Sequence, residues 1–193
     1  MKNSKPYIVI AQTHSMDINR IRAGLTGANE VYLTREPEEA LAEVMRTRVD
    51  IVVTGQYFYK IDIETRQEHE SLLTPENAGL KIKYYIAPSF GLYTGPVLAQ
   101  QIKTVNPQIP VFRCSRKPGE IGEIFGEIEK DENLVDLLFF VNFPFLNDIA
   151  RKKDWKKLRE EFPFIKFYKN PEKSRISSLE EVLKSPFSFF GLC

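Results

Sequence analysis

Hydrophobic positions change period along the chain, with short apolar runs alternating with longer segments in which apolar side chains recur at helical spacing. Tyr7 to Ala11 is the first run and reads as a strand. From Met16 to Leu25, the side chains Met16, Ile18, Ile21 and Leu25 fall near one helical face, and Gly27 and Asn29 close it as a helix stop. A second strand, Glu30 to Leu33, leads to Thr34 and Pro37, a capping hydroxyl and a first-turn proline, ahead of the stripe Ala40, Leu41, Val44 and Met45. Asp50 to Thr54 carries Ile51, Val52 and Val53 without alternation, the pattern of a strand buried on both faces.

Between Gly55 and Thr94 the rhythm breaks. Tyr57 to Ile63 and Leu80 to Ile86 alternate as exposed strands do, around a polar stretch from Arg66 to Asn77, so residues 56–94 read as an inserted hairpin or flap. Regularity then returns, with a helix over Pro96 to Val105 and a strand over Ile109 to Cys114. The spacing of Ile121, Ile124, Phe125 and Ile128 predicts a helix over Gly119 to Lys130, its glycines Gly119, Gly122 and Gly126 serving close packing. Val135 to Val141 predicts another strand, and Asp148 is placed to cap a last long helix ending at Phe162. Phe164 to Tyr168 reads as a short strand, Ser178 to Lys184 as a capped helix, and Pro186 to Cys193 as an uncharged aromatic tail. The expected class is α/β, a five-stranded parallel sheet between two layers of helices, with one domain over residues 1–162 and an extension over 163–193.

The charge balance narrows the partners. With 27 basic and 26 acidic residues the net charge is +1, which gives the whole molecule no electrostatic footprint for nucleic acid or an anionic membrane. Locally the balance tips, since ten basic residues face four acidic ones between Arg151 and Arg175. Lys152, Lys153, Lys156, Lys157 and Arg159, interleaved with aromatics, are the candidate basic patch for nucleic acid or an acidic partner. The plainer alternative is a solvated helix face whose aromatics enter the core.

Apolar runs stop well short of the roughly 20 residues that span a bilayer, and the amino terminus lacks a leader pattern, so the expected setting is cytoplasmic with no membrane partner. Cys114 and Cys193 lie far apart without a second ligand at metal spacing, which fits reduced thiols and no metal site. No dinucleotide fingerprint, Walker loop or nucleophile elbow around Ser89 is present, so neither a cofactor nor an enzyme is expected. His14 and Asp17, just past the first strand, stand where open α/β sheets bind ligands. Tyr57, Tyr59 and Tyr93 belong to an aromatic insertion suited to stacking on a ligand or to ordinary packing.

Three segments, Glu38 to Gly55, Gly95 to Ser115 and Leu138 to Phe145, resemble stretches of the response-regulator receiver domain, a flavodoxin-like fold. That resemblance implies phosphorylation of an aspartate through Mg²⁺, which needs acids after strand one, an acceptor Asp after strand three, a hydroxyl after strand four and a Lys after strand five. On this alignment Gln12 and Thr13 replace the acids, Gly55 replaces the acceptor, Phe143 or Asn142 falls at the Lys, and Ser115 keeps the hydroxyl. The expectation is a degenerate receiver, a pseudo-receiver that recognises another protein without catalysis, with a homodimer implied as one form. The alternative is a small-molecule or nucleotide-binding α/β protein with its aromatic flap over the strand ends.

Overall fold

The computed structural model describes residues 6–62, 81–84, 86–87, 91–116, 119 and 121–168. The chain runs β1 (Tyr7–Ala11), α1 (Ser15–Gly24), β2 (Glu30–Thr34), α2 (Pro37–Arg46) and β3 (Ile51–Thr54). It continues through β4 (Tyr59–Asp62), β5 (Lys81–Tyr84), β6 (Ile86–Ala87) and β7 (Gly91–Leu92) to α3 (Gly95–Val105) and β8 (Val111–Ser115). Then follow β9 (Gly126–Glu129), α4 (Val135–Asn142), α5 (Leu146–Lys152), α6 (Trp155–Glu161) and β10 (Lys166–Phe167).

The main sheet is mixed and six-stranded, in the order β10-β9-β8-β3-β1-β2. β2, β1, β3, β8 and β9 are mutually parallel, and β10 adds an antiparallel edge. Taken in chain order, the five parallel strands follow the doubly wound 2-1-3-4-5 arrangement of flavodoxin-like folds. Alternation divides the core between the two faces. Ile8 and Ile10 of β1, Ile51 and Val53 of β3, and Phe112 and Cys114 of β8 pack with α1, α4, α5 and α6. Val9, Ala11, Val52 and Val111 pack on the opposite side with α2 and α3. Every residue of β3 is buried, as its unbroken apolar run requires.

Three predicted elements are corrected. Gly119 to Lys130 is not a helix, because Gly122 turns the chain with a φ of +50° and β9 follows. Within β9, Gly126 and Ile128 point inward while Glu129 is exposed, a period of two that the isoleucine spacing disguised. A Cβ at Gly126 would stand 3.0 Å from Ile165 and 3.1 Å from the Phe112 ring, a tight fit that those side chains would have to relieve by shifting. Val135 to Val141 is not the fifth strand but helix α4, which buries Leu137, Phe140 and Val141 and leaves Val135 and Phe139 outside. A short apolar run fits either period, and here the helical one wins. The expected long helix from Asp148 is two short ones, broken where Lys153 takes a left-handed φ of 54°. Asp154, not Asp148, supplies the cap, accepting from the Lys157 amide at 3.0 Å.

In the insertion, β4 pairs with β5 and β6 with β7, both antiparallel. The predicted helix over Ser178 to Lys184 and the aromatic tail lie outside the described residues. No helix among the described residues is long and apolar enough to cross a membrane.

The sheet edge is fastened by a buried charge. Arg113 of β8 is fully buried and reaches Glu127 of β9 at 2.9 and 3.2 Å, and the Tyr168 hydroxyl donates to the same carboxylate. Glu127→Ala would leave a guanidinium buried without this partner, and the expected loss is about 3 kcal/mol. The check is a lower urea midpoint at unchanged m-value, and an unchanged midpoint would show that the pair does not hold the edge.

Candidate functional site: the carboxyl ends of the parallel strands

In this topology the strand order reverses between β1 and β3, the switch point at which open α/β sheets place a crevice beyond the carboxyl ends of their strands. Gln12 and Thr13 leave β1 directly into it, while Gly55 ends β3 beside them with its amide donating to the Ala11 carbonyl at 2.9 Å. Gln12 and Thr13 are each only 3% exposed. A Cβ on Gly55 would lie 3.2 Å from Gln12 Oε1, so the glutamine side chain covers the glycine. The Thr13 hydroxyl donates to the Tyr57 carbonyl at 2.6 Å, and Arg35 Nε donates to the Thr13 carbonyl at 2.9 Å. These bonds fix the β1 exit to the turns after β3 and β2. Gly95 sits at the start of α3 because an added Cβ would fall 2.2 Å from the Gly55 carbonyl oxygen.

Ser115 closes β8 and is buried, its carbonyl accepting from the Lys130 amide at 3.1 Å. That bond carries Lys130 to the crevice immediately after β9. Its ammonium forms an ion pair with Asp17 on the first turn of α1, both side chains being largely buried. Sequence reasoning assigned the lysine after the fifth strand to Phe143 or Asn142, and the structure corrects this: Lys130 follows the fifth parallel strand. Phe143 instead ends α4 and packs on Phe162, ring centroids 5.1 Å apart, while Asn142 accepts from the Thr26 amide at 2.9 Å. The missed signal lay in the strand assignment itself, since a lysine directly after alternating Gly126 to Glu129 stands in plain view once that run is read as a strand.

His14 stands at the mouth of the crevice. Its pKa is held below the ordinary 6.5, first by desolvation and then by the positive charges of Lys130, Arg116 and Arg35, with Asp17 opposing them. Three cations and one carboxylate therefore bear on this imidazole. The Cys114 thiol, buried one residue before Ser115, is pushed up to about 12 by burial and is no nucleophile at neutral pH.

The receiver resemblance implies Mg²⁺ at this place, and the side chains present do not suit it. A hard dication needs several oxygen ligands with negative charge among them. The residues that follow β1 and β3 offer a carboxamide, a hydroxyl already donating to Tyr57 and no carboxylate, and Asp17 on α1 is already paired with a lysine. Among the described residues no group of three His, Cys, Asp or Glu side chains converges to hold a metal.

The remaining expected residues separate. Tyr57 is half exposed at the rim, whereas Tyr93 is buried edge-on against Phe58, centroids 5.8 Å apart, and its hydroxyl meets Gln101. Tyr93 thus belongs to the core on the α3 face rather than to a ligand surface, which corrects that expectation. The side chain of Tyr59 lies outside the described residues. Lys152, Lys153, Lys156, Lys157 and Arg159 are all exposed on α5, α6 and their turn. Their aromatic neighbours point inward: Trp155 packs on Phe125 at 5.0 Å, Phe162 is fully buried, and Arg159 lies 5.3 Å over the Phe167 ring. The rings that would stack on bases are committed to the core.

No family model matches the sequence, and no curated protein matches it. Among solved structures, the chain is similar to the signal receiver domain of an HD domain-containing protein from Pseudomonas fluorescens Pf-5, at 15% identity and a TM-score of 0.47, covering 75% of this chain and 98% of that one. It is also similar to a response regulator receiver domain protein from Clostridium thermocellum, again at 15% identity and TM-score 0.47, over 78% and 98% of the two chains. A third likeness is to a CheY-like receiver domain protein from Methanospirillum hungatei JF-1, at 14% identity and TM-score 0.39, over 82% and 97%.

His14 gives the crevice a direct electrostatic readout. Its imidazole resonances should titrate below pH 6.5. Arg116→Gln should move that midpoint upward and Asp17→Asn downward, as NMR titration would show. A midpoint at or above 6.5 in the unaltered protein would contradict the cationic surroundings described here.

Proposed function

We propose that the chain is a non-catalytic regulatory module that recognises another protein, built on a receiver-like scaffold that has lost the capacity for covalent phosphorylation. The observation that carries this reading is the end of β3, where Gly55 offers no nucleophile and Gln12 and Thr13 offer no charge to a cation. What remains of the phosphorylation apparatus is its cationic half, Lys130, and its hydroxyl, Ser115. Without an acyl phosphate to sense, these groups serve structure or recognition instead of switching.

The surface best suited to a protein partner is the outer side of α4 and the turn after it. Val135, Phe139 and Phe145 are 56%, 51% and 60% exposed, and Phe139 and Phe145 both pack at an angle against the half-buried Phe143. Apolar side chains grouped in this way on an otherwise polar surface mark contact sites more often than single exposed residues do. The partner is a different protein or a second copy of the chain.

Incubation with acetyl phosphate and Mg²⁺ should leave the intact mass unchanged. Acid-labile phosphoryl mass on any aspartate would overturn the non-catalytic reading. In a pull-down from the native host, a partner retained by the unaltered protein should be lost by Phe139→Glu, and equal retention by both would remove α4 as the docking face.

A further inference from the structure

The apolar face on α4 continues past the end of that helix. Phe145 follows it after the exposed Pro144, and the half-buried Phe164 lies with its ring 6.0 Å from that of Phe139. Val135, Phe139, Phe143, Pro144, Phe145 and Phe164 carry no charge among them. An occupant of this face therefore gains by burying apolar surface and loses by bringing a charge that the face cannot pair.

The chain itself supplies such an occupant close by. Phe164 stands four residues before Tyr168, where the described residues end, and four residues span at most about 14 Å. Phe167 packs against Phe112 and Phe125 at 6.4 and 5.7 Å, on the side of the sheet that carries α4, so the chain leaves β10 beside this face. Residues 169–185 then hold four basic and three acidic side chains, whereas Pro186 to Cys193 hold none and include Phe187, Phe189, Phe190 and Leu192. A connection as long as residues 169–185 bridges roughly 20–25 Å without being fully extended, enough to return from Tyr168 to Phe139.

We propose that the segment Pro186 to Cys193 docks in cis on the outer face of α4, its phenylalanines packing against Phe139, Phe143 and Phe145, and so competes with the protein partner for that face. Docking of this kind rests on the reading of α4 as the contact face and adds the regulation of that face. Tethering makes a weak contact sufficient, because the segment meets the face at an effective concentration on the order of millimolar. An intrinsic dissociation constant of about 0.1 mM then keeps it docked roughly nine-tenths of the time and lowers the partner's apparent affinity about tenfold. The exposed surface of α5 and α6 is the poorer fit, since Lys152 and Lys157 would meet a segment with no charge to pair with them.

The test is a nitroxide attached to Cys193 in the full chain and read through amide NMR. Cys114 stays unlabelled, because it is buried and its thiol is pushed up to about 12. The amide signals of Val135, Phe139, Phe145 and Phe164 should broaden, while those of Val31 to Leu33 on β2, at the far edge of the sheet, should stay sharp. The broadening should persist when the isotope-labelled, spin-labelled chain is diluted into an excess of plain chain. The double variant Phe189→Asp and Phe190→Asp, at positions outside the described residues, should restore the four signals and raise the partner's affinity about tenfold. Sharp α4 signals, broadening that the two aspartates leave unchanged, or broadening that vanishes on dilution and so places the segment on a second copy would overturn the docking in cis. A docked segment whose two aspartates leave the partner's affinity unchanged would overturn the competition. Sharp α4 signals with the partner still lost by Phe139→Glu would remove the segment and keep the contact face. Broadened signals with the partner equally retained by Phe139→Glu would keep the segment and remove the protein contact.

Discussion

The ion pair between Asp17 and Lys130 sets the character of the strand ends. It joins the first turn of α1 to the residue that follows β9, and so closes the crevice from the first strand to the fifth. Both groups are largely out of water, where separating them would leave a costly uncompensated charge, so the pair stays intact. Its chemical consequence follows at once. The carboxylate best placed to attract a metal is neutralised together with its lysine, and Arg116 and Arg35 are the other cations that act on His14 at the mouth.

The rest of the fold holds this arrangement in place. Alternating residues of β1, β3 and β8 send side chains into separate cores on the two faces, which fixes the strands' register and with it the relative height of Gln12, Gly55 and Ser115. On the α1 face, Phe140, Phe143 and Phe164 each pack edge-on against Phe162, at 5.0, 5.1 and 5.8 Å. Asn29 donates to the Val141 carbonyl at 2.6 Å, and Asn142 donates to the Gly24 carbonyl at 2.8 Å, clasping the end of α4 to the turn after α1. On the α2 face, Glu43 is buried and held ionised chiefly by the Tyr7 hydroxyl, with Arg46 and Thr47 assisting. The same contact, with burial as the larger cause, pushes the Tyr7 phenol up to about 12.

Much of this was legible in the sequence where one period dominated. The β1, β2 and β3 runs and the α1, α2 and α3 patterns lie close to their expected places, because their apolar residues repeat at two or at three to four and their ends carry turn residues. The second half misled for a physical reason. Ile121, Ile124 and Ile128 satisfy a helical spacing while Gly126 to Glu129 satisfies a strand alternation, and only the glycines, poor in helices, favoured the strand. Leu134 to Val141 is apolar enough to serve either period. Exchanging those two elements displaced the fifth strand, and the lysine was sought at Asn142 or Phe143 instead of Lys130. That glycine ends β3 was readable because β3 was correctly placed; the ion pair was not, because it depends on Asp17 and Lys130 meeting across 113 residues of chain.

The central claim is that these strand ends do not hold a divalent cation. A titration of the full chain with Mg²⁺ at constant ionic strength, followed through the amide resonances of Thr13, Gly55, Ser115 and Lys130, tests it most directly. The account predicts that these four signals stay in place at millimolar Mg²⁺, while saturable movement centred on them would contradict it.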